Sequence, residues 1–237
     1  MQIAILGSAG SGKTLITARF GEFLEKEGYT VKRLNLDPGV LSLPYEPDFD
    51  VRDYFTLEEI MRKENLGPNG AILEAMDRLS KLKLPSYNAD YVLIDTPGQL
   101  EVFAFRDSGP AIFKGMKDFY GIFIIDATSS LKAIPGLLLY SLTIQYTLGI
   151  ERIVNVVNKV DLIDSEKRKA LNELALRFRT EGERKGMLSE LEDEIGRLLD
   201  KFVYVHRTPM VSAVTGEGFD ELLTVLYEVK CVCGDLD

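Results

Sequence analysis

Short apolar runs recur along the chain, separated by stretches with helical periodicity. Ile3–Leu6, Tyr91–Ile94 and Tyr120–Ile125 are continuous apolar runs, which predict buried strands, and Ile153-Val154-Asn155-Val156-Val157 predicts another. Thr30–Leu36 alternates and predicts a further strand, and Thr208–Val211 predicts the last one. A helical pattern follows the first strand to about Lys26 and stops near Gly28. Others cover Ala71–Lys83 and Gly218–Val229, and Leu131–Leu148 reads as an apolar helix kinked at Pro135. Thr56 before Leu57-Glu58-Glu59 looks like a helix cap. Leu41–Asp53, rich in Pro and Asp, predicts an irregular loop, and Gly67-Pro68-Asn69-Gly70 predicts a tight one. From Ser165 to Phe202 the chain is charged and helical. Leu171, Leu174, Ala175 and Phe178 share one spacing, Leu188, Leu191, Ile195, Leu198 and Leu199 another, with Gly182 and Gly186 between them. Strand–helix–strand order implies parallel pairing. The expectation is a single α/β domain over 1–237: three layers, a mostly parallel sheet flanked by helices. It carries an inserted helical and loop segment at about 40–88 and a helical segment at about 165–200.

The first strand runs into Gly7-Ser8-Ala9-Gly10-Ser11-Gly12-Lys13-Thr14, which fits G-x-x-x-x-G-K-[ST] at every fixed position. Strand, glycine loop and helix stand in the order phosphate binding needs, so the domain is expected to have the P-loop NTPase fold. Backbone N–H groups of Gly10, Ser11 and Gly12 can point at phosphate oxygens, helped by the helix dipole. Lys13 would reach the terminal phosphates, and Thr14 would hold Mg²⁺. The strand ending Asp95-Thr96-Pro97-Gly98-Gln99 offers Asp95 to the metal, the Gly98 N–H to the terminal phosphate, and Gln99 to the attacking water. Glu101 is a second acid that could orient water, or a solvated surface group. Asp37 ends the second strand on the same edge; it either touches Mg²⁺ or the water, or forms the turn before Pro38-Gly39. Asn158-Lys159-Val160-Asp161 follows a strand. An Asp161 carboxylate there can accept from two adjacent donors of guanine, a pair that adenine lacks. Asn158 can bond the purine and pin the glycine loop, and the Lys159 stem can cover the base. Ser212-Ala213 would meet the guanine carbonyl through their backbone.

Composition narrows the picture. The 237 residues are 46% hydrophobic and 27% charged, with a formal charge of −9, which argues against a broad basic face for nucleic acid. Two cysteines, Cys231 and Cys233, fit a reducing cytosol; as two ligands without His or Cys nearby they make a poor metal site and read as loose thiols. The single histidine, His206, reads as structural. No cationic, apolar and cleavage-site sequence opens the chain, and no run of eighteen apolar residues spans a membrane, so a cytoplasmic protein is expected.

In its order of motifs, with an early parallel strand ending in Asp-Pro, the chain is similar to the signal-recognition and MinD-like division of GTP-binding proteins. With Gly67-Pro68-Asn69 between that strand and Asp95-Thr96-Pro97-Gly98-Gln99, it resembles a narrower family, the GPN-loop GTPases, of the single-copy archaeal type. The resemblance covers nearly the whole chain. It implies Mg²⁺-dependent GTP hydrolysis to GDP by a homodimer, in which Asn69 of each copy reaches the other's active site. MinD-like relatives carry an extra Lys early in the phosphate loop; here Ser8 and Ala9 occupy that region, and a polar group from a second subunit could do part of that work. Arg33, Arg52 and Arg106 are the arginines to examine for a charge-stabilising role. The resemblance also implies an RNA polymerase or assembly-factor partner. The rivals are a small-molecule P-loop kinase, a nucleotide-dependent scaffold with little hydrolysis, and an ATPase of the same fold.

Overall fold

The computed structural model describes residues 1–177 and 207–234. Six strands, β1 (Gln2–Gly7), β2 (Val31–Asn35), β3 (Phe49–Asp50), β4 (Tyr91–Asp95), β5 (Phe119–Asp126) and β6 (Arg152–Asn158), form one sheet in the order β3-β2-β4-β1-β5-β6. Every neighbouring pair is parallel. Met210, outside the six strands, makes an isolated parallel bridge to Val157 of β6, so the expected last strand is reduced to one pairing among the described residues. β1 lies at the centre, between β4 and β5, and that position explains its continuous apolar run: Ile3, Ala4, Ile5 and Leu6 are all fully buried.

Strand alternation sorts these residues between two cores. Ile3 and Ile5 pack with Ile16, Phe20 and Leu24 of α1 (Lys13–Lys26) and with Phe219, Leu222 and Leu226 of the C-terminal helix. Ala4 and Leu6 face the other layer. That layer is built from α2 (Leu57–Glu64), α3 (Pro68–Leu79), α4 (Leu100–Phe105), α5 (Ser108–Phe113) and α6 (Ile134–Leu148). The chain continues into α7 (Ser165–Arg177) and, after the undescribed residues, α8 (Phe219–Gly234). Fully burying one Ile or Leu of β1 is worth about 1.5–3 kcal/mol.

The insertion is more regular than expected. Within Leu41–Asp53 the chain forms β3 on the sheet edge and a short 3₁₀ turn at Val51–Asp53. Thr56 caps α2 by accepting from the Glu59 N–H at 3.2 Å. Gly67-Pro68-Asn69-Gly70 is not a loop. Gly67 is the N-cap of α3, Pro68 stands in the first turn, and the Ala71 N–H donates to the Gly67 carbonyl at 2.9 Å. Proline costs nothing there, because the first-turn N–H has no intrahelical partner. Pro135 is a second such case: α6 starts at Ile134, so the proline sits in the opening turn and produces no mid-helix kink. The helices α4 and α5 carried no sequence expectation. Phe178, Gly182, Gly186, Leu188, Leu191, Ile195, Leu198, Leu199 and His206 lie outside the described residues. Cys231 is exposed and free.

Candidate functional site

Parallel strands present their carboxyl ends along one edge, and the residues of interest gather there. β1 ends in the glycine loop, where Gly10 (φ 77°) and Gly12 (φ 101°) hold left-handed backbone that a side chain would strain. At Gly12 a Cβ would also meet Asn158 Nδ2 at 2.5 Å. Lys13 is buried, and its ammonium donates to the Gly7 and Ser8 carbonyls at 3.0 and 3.2 Å. Burial holds its pKa below the usual lysine value, while the carboxylates of Asp95, Asp37 and Glu101 pull it back up. Ser11 is buried, with an Oγ that has no partner.

Beside this loop, β2 and β4 end in two acids in different settings. Asp95 is completely buried. Burial pushes its carboxyl up to about 7, opposed by the Thr14 and Tyr45 hydroxyls. The Tyr45 hydroxyl donates to Asp95 Oδ2 at 3.1 Å, whereas Oδ1 has no hydrogen-bond partner. Asp37 is committed to backbone: Oδ1 accepts from the Gly39 N–H at 2.8 Å and Oδ2 from the Gly98 N–H at 2.9 Å. It thus makes the turn and also ties the end of β2 to the loop after β4. The Gly98 N–H, expected to face phosphate, is directed at Asp37. Gln99 and Glu101 are exposed at the start of α4.

Across the sheet, Asn158 is buried and joins two loops. Its Nδ2 donates to the Ser11 carbonyl at 2.9 Å, and its Oδ1 accepts from the Ala213 N–H at 3.1 Å. Lys159, with φ 68°, donates to the Gly10 carbonyl at 2.7 Å and to Asp126 Oδ2 at 2.5 Å. Asp126, at the end of β5, also accepts from the Thr128 N–H and hydroxyl. Burial alone would raise its pKa; Lys159 and Thr128 outweigh that and hold it below the ordinary carboxylate value. Asp161 is exposed on the turn Val160–Leu162. Ser212 is buried, its Oγ accepting from the Thr215 N–H at 3.2 Å. The edge therefore brings together the glycine loop, Asp37, Asp95, Gln99 and the 158–161 and 212–213 segments. Asn69 is exposed in the first turn of α3 and, among the described residues, is not one of those gathered at this edge.

The donors suit a hard divalent cation. Asp95 Oδ1 is an orphaned, buried carboxylate oxygen, and the Thr14 hydroxyl is close enough to act on its titration. Among the described residues no cluster of three or more His, Cys, Asp and Glu could cage a metal. Mg²⁺ needs no such cage, since it is held by one or two protein oxygens plus substrate phosphates.

Several members of the edge carry no motif. Asn35 donates from Nδ2 to Asp50 Oδ1 at 2.9 Å, and its Oδ1 receives the Asp37 N–H at 3.0 Å. Arg52 grips Asp50 with Nε and Nη2. Asp50 and Asp126 could have been found by asking which acids end strands; Tyr45, in an irregular segment, offers no such signal. The three candidate arginines are each committed to a carboxylate: Arg33 to Glu25, Arg52 to Asp50 and Arg106 to Asp77.

Residues 5–232 match a family model described as a conserved hypothetical ATP binding protein. GPN-loop GTPase PAB0955 of Pyrococcus abyssi is 37% identical over the full length of both chains. GPN-loop GTPase 1 of Schizosaccharomyces pombe is 31% identical, over 93% of this chain and 66% of the relative. The crystal structure of PAB0955, described as a GTPase in apo form, superposes with a TM-score of 0.82 at 35% identity, covering 98% of each chain.

Proposed function

This chain belongs to the GPN-loop GTPase family, and we propose that it is a Mg²⁺-dependent switch that binds and hydrolyses GTP as a cytoplasmic homodimer. The amides of Gly10, Ser11 and Gly12 and the Lys13 ammonium hold the phosphates. Thr14 and Asp95, with Asp37 behind the Gly98 loop, hold the metal. When bound, Mg²⁺ neutralises charge on the phosphate oxygens. Gln99, with Glu101 nearby, orients water for in-line attack. Asp161 reads the guanine donors, Lys159 shelters the base face, and Asn158, Ser212 and Ala213 frame the base. Asn69 acts from a second copy of the chain: its place at the exposed tip of α3 suits a group that works across an interface.

The observation that carries this assignment is the Asn158 side chain. It bonds the phosphate loop at Ser11 and the Ser212-Ala213 segment at once, so a triphosphate grip and a base-reading edge are built as one unit. The test is phosphate release from GTP and from ATP by purified protein with Mg²⁺. Release from GTP, lost in Lys13→Ala, is the expected outcome. Bound GTP that survives for hours would favour the scaffold, and preference for ATP, as the family model's description suggests, would overturn the guanine assignment.

A further inference from the structure

Asp95 has two carboxylate oxygens in unlike situations, although the residue as a whole is completely buried. Oδ2 receives the Tyr45 hydroxyl; Oδ1 has no hydrogen-bond partner, although the Thr14 hydroxyl of the glycine loop also acts on this carboxylate. A buried carboxylate oxygen without a donor costs free energy, so a fold that leaves one bare and partners the other distinguishes between them.

The partnering group comes from fifty residues away, and the segment that carries it is tied down at both ends. At the near end, Arg52 donates to the Val40 and Leu41 carbonyls while gripping Asp50. At the far end, Asp48 accepts from Lys32 and from the Arg33 N–H, and the Asp48 N–H donates to the Arg33 carbonyl. Tyr45 lies between these anchors and is half-buried. Held in this way, its hydroxyl crosses from the insertion to the end of β4.

We propose that Tyr45 is a positioning residue for the metal-facing carboxylate: its hydroxyl engages Asp95 Oδ2, fixes the carboxylate plane, and leaves Oδ1 as the oxygen offered toward the Mg²⁺ of the bound nucleotide. This rests on the assignment of Asp95 to the metal made above. It adds a residue that no nucleotide motif contains, and it gives the 38–48 segment a role at the site. A hydrogen bond to a ligating carboxylate orients it and tunes its hold on the metal. Tyr45 also links metal and insertion in the opposite direction, because an Asp95 committed to a cation is a fixed acceptor for the hydroxyl that restrains the loop.

The test uses the full chain and Tyr45→Phe, which keeps the ring and removes the hydroxyl. Two quantities are measured: the affinity for a fluorescent GDP analogue in EDTA, and the concentration of Mg²⁺ that half-saturates the slowing of that analogue's release. Mn²⁺ binding to the GDP complex, followed by electron paramagnetic resonance, gives a second metal readout independent of turnover. The expected result is that half-saturating metal rises by about 10- to 100-fold while affinity in EDTA stays within about twofold of wild type. An unchanged metal requirement overturns the proposal. So does a loss of affinity in EDTA as large as the loss with metal, since Tyr45 would then be packing the loop rather than aiming a ligand. Wild-type protein that binds no guanine nucleotide in either condition would instead remove the nucleotide assignment itself.

Discussion

In the proposed reading, base choice turns on Asp161, whose carboxylate would accept from two donors of guanine; an amide in its place has one acceptor and one donor. Asp161→Asn is therefore expected to weaken GTP by about 2–3 kcal/mol, the cost of a mismatched charged hydrogen-bonding pair, and to favour xanthosine triphosphate. Competition binding with the two nucleotides measures this. At Gly12 the chain tolerates no Cβ, because φ is 101° and Asn158 Nδ2 would lie 2.5 Å away. Gly12→Ala is expected to cost about 1–3 kcal/mol of stability, read from denaturant midpoints, and to abolish nucleotide binding. A third residue effect is set by pH. Burial would raise Asp50, but Arg52 and Asn35 outweigh it and hold it below the ordinary 3.8. A carboxyl depressed on folding contributes stability that is fully present above its unfolded value and is lost as pH falls through the lower folded one. Asp50→Asn should be less stable at neutral pH by about 2 kcal/mol, the worth of a hydrogen bond to a charged group, and should show a flatter decline below about pH 4, in urea titrations across pH. At this scale the motifs were legible because each needs fixed residue types at fixed spacing. Tyr45 and Asn35 were not, since they reach the site through tertiary contacts between separate strand ends and loops, whereas Asp126 could have been found as an acid that ends a strand.

Among the elements, the strands were the most legible. Ile3–Leu6 and Tyr120–Ile125 are apolar on both faces because β1 and β5 have helices on both sides. The helix starts were harder. Gly67-Pro68-Asn69-Gly70 has the composition of a turn, yet proline is also the residue that best opens a helix, and only the packing of α3 against α2 decides between them. β3 is two residues long, too short for any periodicity, and owes its place to edge pairing with β2. This bears on Asn69. In the first turn of a helix, Asn69→Ala removes no helix hydrogen bond and replaces a poor helix former with a good one, so the thermal midpoint should hold or rise slightly. Hydrolysis should nevertheless fall, if the side chain works across an interface. Unchanged hydrolysis together with unchanged association would remove Asn69 from the mechanism.

For the molecule as a whole, the three-layer parallel architecture followed from element order alone, since strand–helix–strand units close only with helices on both faces. Association did not follow, because a surface that meets another copy looks, in sequence, like any half-buried helix. Phe105 and Tyr146 are large and exposed on α4 and α6. A homodimer should show twice the 26.5 kDa chain mass in light scattering. The most direct test of the central assignment is calorimetric titration of GTP and of ATP into the purified protein with Mg²⁺ present. Saturable heat with GTP, and binding of ATP weaker by about tenfold or more, is the outcome expected of a site that grips triphosphate and reads guanine. No heat with GTP from folded protein, or equal affinity for ATP, would contradict it.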